Sequence, residues 1–205
     1  MRYFIISIFV FSGLSSCALS TTKAAVEVAP SVAIYHNFYF SDKTQDYVYK
    51  AKINAFDTNF GGILIVKKLG DQNHRIVFTT DFGNKIFDFE IGKEGFKTHY
   101  AIEQLNKGAV LKIFQRDFET LIKENVVPVK MFRDKENMIY RSILDKRYNH
   151  YFVDLETKEL QRIVHTTKTK EKIVFSFSSV KGDIAKKIKI LHKKLPLTID
   201  LFYLN

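Results

Sequence analysis

The chain has 205 residues, 46% of them hydrophobic, with 19 Phe and 10 Tyr, no tryptophan and a single cysteine. That apolar content supports a buried core and excludes a generally disordered chain, and one thiol excludes an internal disulfide. The formal charge is +10, yet only seven of the 32 basic residues are arginine. Nucleic-acid readers rely on arginine forks and on aromatic platforms beside basic grooves; here lysines on solvent-type positions fit attraction to anionic lipid headgroups better.

In chain order, residues 1–16 come first, with one positive charge, Arg2, and an apolar run from Tyr3 to Phe11. This is the layout of a secretory signal, and the run is shorter than the roughly 20 apolar residues of a membrane span. The segment Leu14-Ser15-Ser16-Cys17 resembles a bacterial lipobox. That resemblance implies cleavage before Cys17, a diacylglycerol on its thiol and acylation of the new amine. An ordinary secretory signal, or an anchoring helix, with an incidental cysteine is the alternative. Cleavage would remove Arg2 and leave +9. Residues 17–30 are small, polar and unpatterned and read as a lipidated tether. Residues 31–205 then form one domain.

Within the domain, Ser31 to Lys43, with aromatics at Tyr35, Phe38, Tyr39 and Phe40, is expected to be a short helix packed on a sheet. Tyr47, Tyr49, Ala51, Ile53 and Ala55 alternate with Lys50, Lys52 and Asn54, which predicts a strand. Gly61-Gly62 is expected to break the chain before a second strand, Ile63 to Lys68. Strands at Arg75 to Thr80 and around Phe87, Phe89 and Ile91 flank the turn Asp81-Phe82-Gly83-Asn84, and Phe96 to Tyr100 starts another.

The period then changes. Val110, Phe114, Phe118, Leu121 and Ile122 recur every three or four residues opposite Lys112, Gln115, Arg116, Glu119 and Lys123, an amphipathic helix. It is entered near Ile102 to Leu105, interrupted or bent at Gly108, and ends before Pro128. Strands follow at Met138 to Ile143, Tyr148 to Val153, Leu160 to Thr166, Ile173 to Phe177, Ile184 to Ile190 and Ile199 to Leu204. About ten strands with hairpin-length links and one helix predict an α+β fold, a curved antiparallel sheet forming an open half-barrel over one main amphipathic helix.

No catalytic signature is present: no Gly-x-Ser-x-Gly elbow, no His-Glu-x-x-His and no phosphate loop. The six histidines show no metal-ligand spacing, and His99 and His165 read as solvent-face strand residues. Asp81 reads as a turn former, and Asp88 and Glu90 as the polar face of their strand. The chain is therefore expected not to be an enzyme, and to need neither a metal nor any cofactor beyond lipid on Cys17. Phe82 stands out, because a turn between strands usually takes Asn, Asp, Gly or Ser. Either its ring folds back onto the core, or it projects into a membrane or apolar partner.

The stretch from His74 to Ile91, an arginine-led strand, a Thr-x-x-apolar-Gly turn and a second strand, is similar to the lipoprotein-localisation factors LolA and LolB, and to the LolB receptors above all. Gly62 to Val66 resembles that family's early glycine-started strand. The resemblance implies an outer-membrane lipoprotein, anchored on the periplasmic face, that binds lipoprotein acyl chains and assists their insertion. It implies acyl chains and a LolA-like periplasmic carrier as partners; export disfavours a nucleic-acid role, and the protein is expected to be a monomer. Phe82 and Gly83 fall where the family inserts an apolar residue into the bilayer. Ile63, Ile65, Phe87, Phe89, Phe114 and Phe118 are the candidate lining of an acyl-chain cavity, although a packed core would use the same residues. A non-catalytic envelope scaffold of the same fold, with a filled core, is the alternative function.

Overall fold

The computed structural model describes residues 20–144 and 146–204; the expected signal segment 1–16, Cys17 and the first residues of the expected tether lie outside the described residues. A short turn, Ser20–Thr22, precedes β1 (Val26–Val28), β2 (Tyr35–His36), β3 (Asp46–Ala55), β4 (Thr58–Gly70), β5 (Asn73–Thr79), β6 (Lys85–Gly92) and β7 (Gly95–Ala101). The helix α1 (Gly108–Leu121) leads to β8 (Asn125–Val126), β9 (Lys130–Arg133), β10 (Asn137–Leu144), β11 (Arg147–Asp154), β12 (Leu160–Thr166), β13 (Glu171–Lys181), β14 (Ile184–His192) and β15 (Leu197–Tyr203). Thirteen strands form one sheet in the order β1-β9-β10-β11-β12-β13-β14-β15-β3-β4-β5-β6-β7, and β2 pairs with β8 apart from it. Every pairing is antiparallel. The order ends at β1 and β7 without closing. The fold is α+β, an antiparallel sheet with one α-helix among the described residues.

Period-two patterning places the core. In β3, Tyr47, Tyr49, Ala51, Ile53 and Ala55 are all buried. Their row continues through Leu64 and Val66, Ile76 and Phe78, and Ile199 and Leu201 into a single cluster that also takes in Phe114 and Phe118 of α1. A smaller cluster, Phe132, Ile139, Phe152 and Val164, forms separately, and Ala25 packs against it. The Arg162 guanidinium lies 3.9 Å from the centroid of the Phe152 ring, close enough for a cation–π contact.

Four local expectations are corrected. Gly61-Gly62 does not break the chain but lies within β4, because a Cβ at Gly62 would fall 1.8 Å from the Thr79 carbonyl oxygen; the glycine serves close approach of two backbones. Ser31 to Lys43 is not a helix. Tyr35–His36 pairs with β8, Asn37 Oδ1 accepts a bond from the Tyr39 amide, and Phe40 takes φ +63, so the backbone turns instead. Ile102 to Asn106 closes as a turn through Asn106 N–H to the Ile102 carbonyl at 2.9 Å, and α1 starts at Gly108 rather than bending there. The tether is also tied down from residue 20 onward. Thr21 Oγ1 donates to Glu171 Oε1 at 2.7 Å, and Val26–Val28 pairs with Met131–Arg133. Three residues are too few to display alternation, and the same holds for β2, β8 and β9, which hydrophobic patterning also missed.

Candidate functional site

The β5–β6 turn is built by its own sequence. The Gly83 amide donates to the Thr80 carbonyl at 3.0 Å, and Thr80 N–H donates to Asn84 O at 2.8 Å. Gly83 sits at φ +84, a conformation that costs a side-chain-bearing residue about 1–2 kcal/mol. Phe82 is thereby held at the tip and is 94% exposed. Lys50 of β3 pairs with Asp81 across the strands, so the loop is braced from the side. At its base Asp88 accepts from Arg75 and from Lys85 Nζ at 2.7 Å. These cations, Arg75 first, hold the buried Asp88 carboxyl down to about 2. Of the two arrangements open to Phe82, the projecting one is found.

The proposed cavity lining is divided between two faces. Ile63 and Ile65 are corrected: they lie on the sheet face opposite the main core, half-buried, while Leu64 and Val66 enter the core. Ile65 pairs with Val48 and Val77 on that outer face. The run Ile63-Leu64-Ile65-Val66 is apolar at every position, so alternation could not choose its inner face. Phe87, Phe89, Phe114 and Phe118 do come together, but as a filled core. All four are 0% exposed, with Phe87 and Phe89 stacked at 4.5 Å and the helix rings 5.6 to 6.3 Å from them. The recesses in the surface lie elsewhere. One, of about 210 Å³, runs beside His74, Ile91, Ile122 to Asn125 and Tyr151. None of the six proposed lining residues borders it.

The other flank of α1 is polar, and sequence reasoning missed it. Asn149, His165, Ile173 and His192 are cross-strand neighbours on β11 to β14, and Asn149, His165 and His192 are buried. Asp117 of α1 is fully buried and its Oδ2 lies 2.7 Å from His192 Nε2. Burial pushes the Asp117 carboxyl above its usual range, against the bond from His192. Arg116 stands 3.7 Å from the second Asp117 oxygen. His165 Nδ1 donates to Asn149 Oδ1 at 2.7 Å. Burial first, then the nearby Arg116 and Arg147 charges, hold His165 down to about 3. His150, on the opposite face, is held to about 4 by burial.

His165 is thus corrected from a solvent-face residue to a buried one. Its neighbours Ile163 and Val164 are both buried, on opposite faces, so alternation could not orient the strand. The available signal was Asp117 on the apolar side of an amphipathic helix, which requires a buried partner.

Among the described residues no group of His, Cys, Asp and Glu could hold a metal ion, and no helix is long and apolar enough to cross a membrane. Compared with protein-family models, the chain matches none, and no characterised protein matches it significantly.

Proposed function

We propose that the protein is an outer-membrane lipoprotein, anchored through lipid on Cys17, that receives lipoprotein acyl chains and assists their insertion, in the manner of the LolB receptors it resembles. The observation that carries this reading is Phe82, 94% exposed at the tip of a braced turn. A phenylalanine moved from water into hydrocarbon gains about 1.5–3 kcal/mol. Lipid on Cys17 already supplies stable anchoring, since two acyl signals suffice, so Phe82 is assigned to transfer rather than to attachment. The sheet is read as an open half-barrel. Acyl chains, each methylene contributing about 0.8 kcal/mol on burial, would enter it by displacing α1 from the Phe87 and Phe89 rings. Lysines around the surface favour anionic headgroups. The protein acts as a monomer without catalysis, on the periplasmic face, with a LolA-like carrier as donor.

Phe82→Glu is expected to fold normally and to impair lipoprotein targeting in cells that carry it as the sole copy; unchanged targeting removes Phe82 from the mechanism. A specific observation favours a second reading, the non-catalytic envelope scaffold: Phe87, Phe89, Phe114 and Phe118 are packed ring on ring. Native mass spectrometry separates the two, because the receptor co-purifies with lipid and the scaffold does not.

A further inference from the structure

One recess of about 310 Å³ is lined by Lys112, Gln115, Arg116 and Glu119 of α1, Arg147 of β11 and His165 of β12. It lies on the polar flank of the helix, away from Phe82 and from the aromatic core. Lys112, Arg116 and Glu119 recur at helical spacing, so one stripe of α1 faces the β11–β12 hairpin. Three cations converge there against one acid, Glu119, whose carboxylate already accepts from Gln115 Nε2 at 2.8 Å. The second acid nearby, Asp117, turns Oδ2 to His192 and Oδ1 toward Arg116 at 3.7 Å, which offsets part of the Arg116 charge and leaves Lys112 and Arg147 in excess.

Two buried nitrogens at this recess have no hydrogen-bond partner among the described residues, Arg116 Nε and His165 Nε2. Buried polar groups in folded proteins are nearly always satisfied, and an exception calls for an explanation. Their chemistry is complementary. Arg116 Nε is a donor. His165 donates from Nδ1 to Asn149, which leaves Nε2 of the neutral ring as an acceptor. An occupant must therefore carry negative charge, accept from guanidinium groups, and donate one hydrogen bond. A carboxylate or sulfate is an acceptor only. A phosphomonoester, whose second pKa is near 6, is partly protonated near neutral pH and does both, and inorganic phosphate, which gives up its second proton at somewhat higher pH, does so too. Arginine forks match its tetrahedral oxygens.

We propose that the recess between α1 and β11–β12 binds a phosphate monoester-class anion, held by Arg116, Arg147 and Lys112, with its P–OH donating to His165 Nε2. The site does not depend on the lipoprotein reading. The same chemistry is offered by a phosphomonoester lipid headgroup and by a soluble phosphate.

The test uses the full chain in maltoside micelles and phosphate-free buffer, followed by calorimetry and by the arginine Nε–H and imidazole resonances. Inorganic phosphate is expected to bind saturably and to shift the Arg116 Nε–H and His165 signals. Arg147→Gln and Lys112→Gln, with melting temperatures close to the parent, are expected to weaken binding about tenfold each, one charge-assisted bond apiece. Sulfate is expected to bind at least tenfold more weakly, lacking the proton for His165. Vesicles of phosphatidylcholine doped with phosphatidic acid, compared with phosphatidylglycerol, assign the source. Competition by phosphatidic acid alone supports the site with a lipid headgroup as ligand; phosphate binding without such competition supports it with a soluble ester. Absence of saturable phosphate binding, sulfate binding as tight as phosphate, or binding indifferent to both substitutions would overturn the proposal.

Discussion

The helix α1 rests on two unlike surfaces. Toward β6 it presents Phe114 and Phe118 to Phe87 and Phe89; toward β11 to β14 it presents Arg116 and Asp117 to a row containing Asn149, His165 and His192. The aromatic flank gains stability from every ring it buries and needs no partners of defined polarity. The polar flank gains little net stability, since burying an ion pair costs most of what the pairing returns, but it demands one arrangement. The difference separates what holds the helix down from what the helix is positioned to do.

The comparison predicts an order of mutational effects. Phe118→Ala should be the most damaging, about 3–5 kcal/mol, by opening a cavity among stacked rings; denaturant unfolding measures it, and a loss below about 1 kcal/mol would mean that the rings are not packed as described. Asp117→Ala leaves His192 buried without its acceptor and should cost about 3 kcal/mol, whereas Asp117→Asn keeps a hydrogen-bonding group and should cost clearly less.

Acid should act on the histidine-bearing strands before the aromatic flank. His165 and His150 are held to about 3 and about 4 in the fold against 6.5 unfolded. Both are buried neutral, so their contribution is complete above pH 6.5 and is lost as pH falls from 6.5 toward those values. Between pH 7 and 5 the loss is on the order of 2–4 kcal/mol, roughly 5–15 °C in Tm. A flat Tm over this interval would show that these histidines are solvated. Asp88, held to about 2 against an ordinary value near 3.8, adds a further loss only below about pH 4. Smallest of all is Phe82→Glu, within about 0.5 kcal/mol of the parent by thermal melting, since the ring touches water and not the core.

The strands with clean alternation were legible. Tyr47 to Ala55 and Phe87 to Ile91 carry their inner face in the spacing of apolar residues, and α1 carries its own in the three-and-four repeat that includes Phe114 and Phe118. Alternation is uninformative where both faces are apolar: Ile63 to Val66 and Ile163 to Val164 fit either orientation, so patterning alone puts Ile63, Ile65 and His165 on the wrong side. It fails also for strands of two to four residues, whose pairing is decided by the neighbour rather than by the segment.

What the sequence determined by itself was the class of the fold, the turn that carries Phe82 and the helix that carries Phe114 and Phe118, because these depend on local spacing and turn chemistry within a few residues. Only the tertiary structure decided that the four phenylalanines fill the space between helix and sheet, and that Arg116, Arg147 and His165 meet. These outcomes depend on register between segments up to 49 residues apart, from Arg116 to His165, and a one-residue change of register moves every side chain of a strand to the other face.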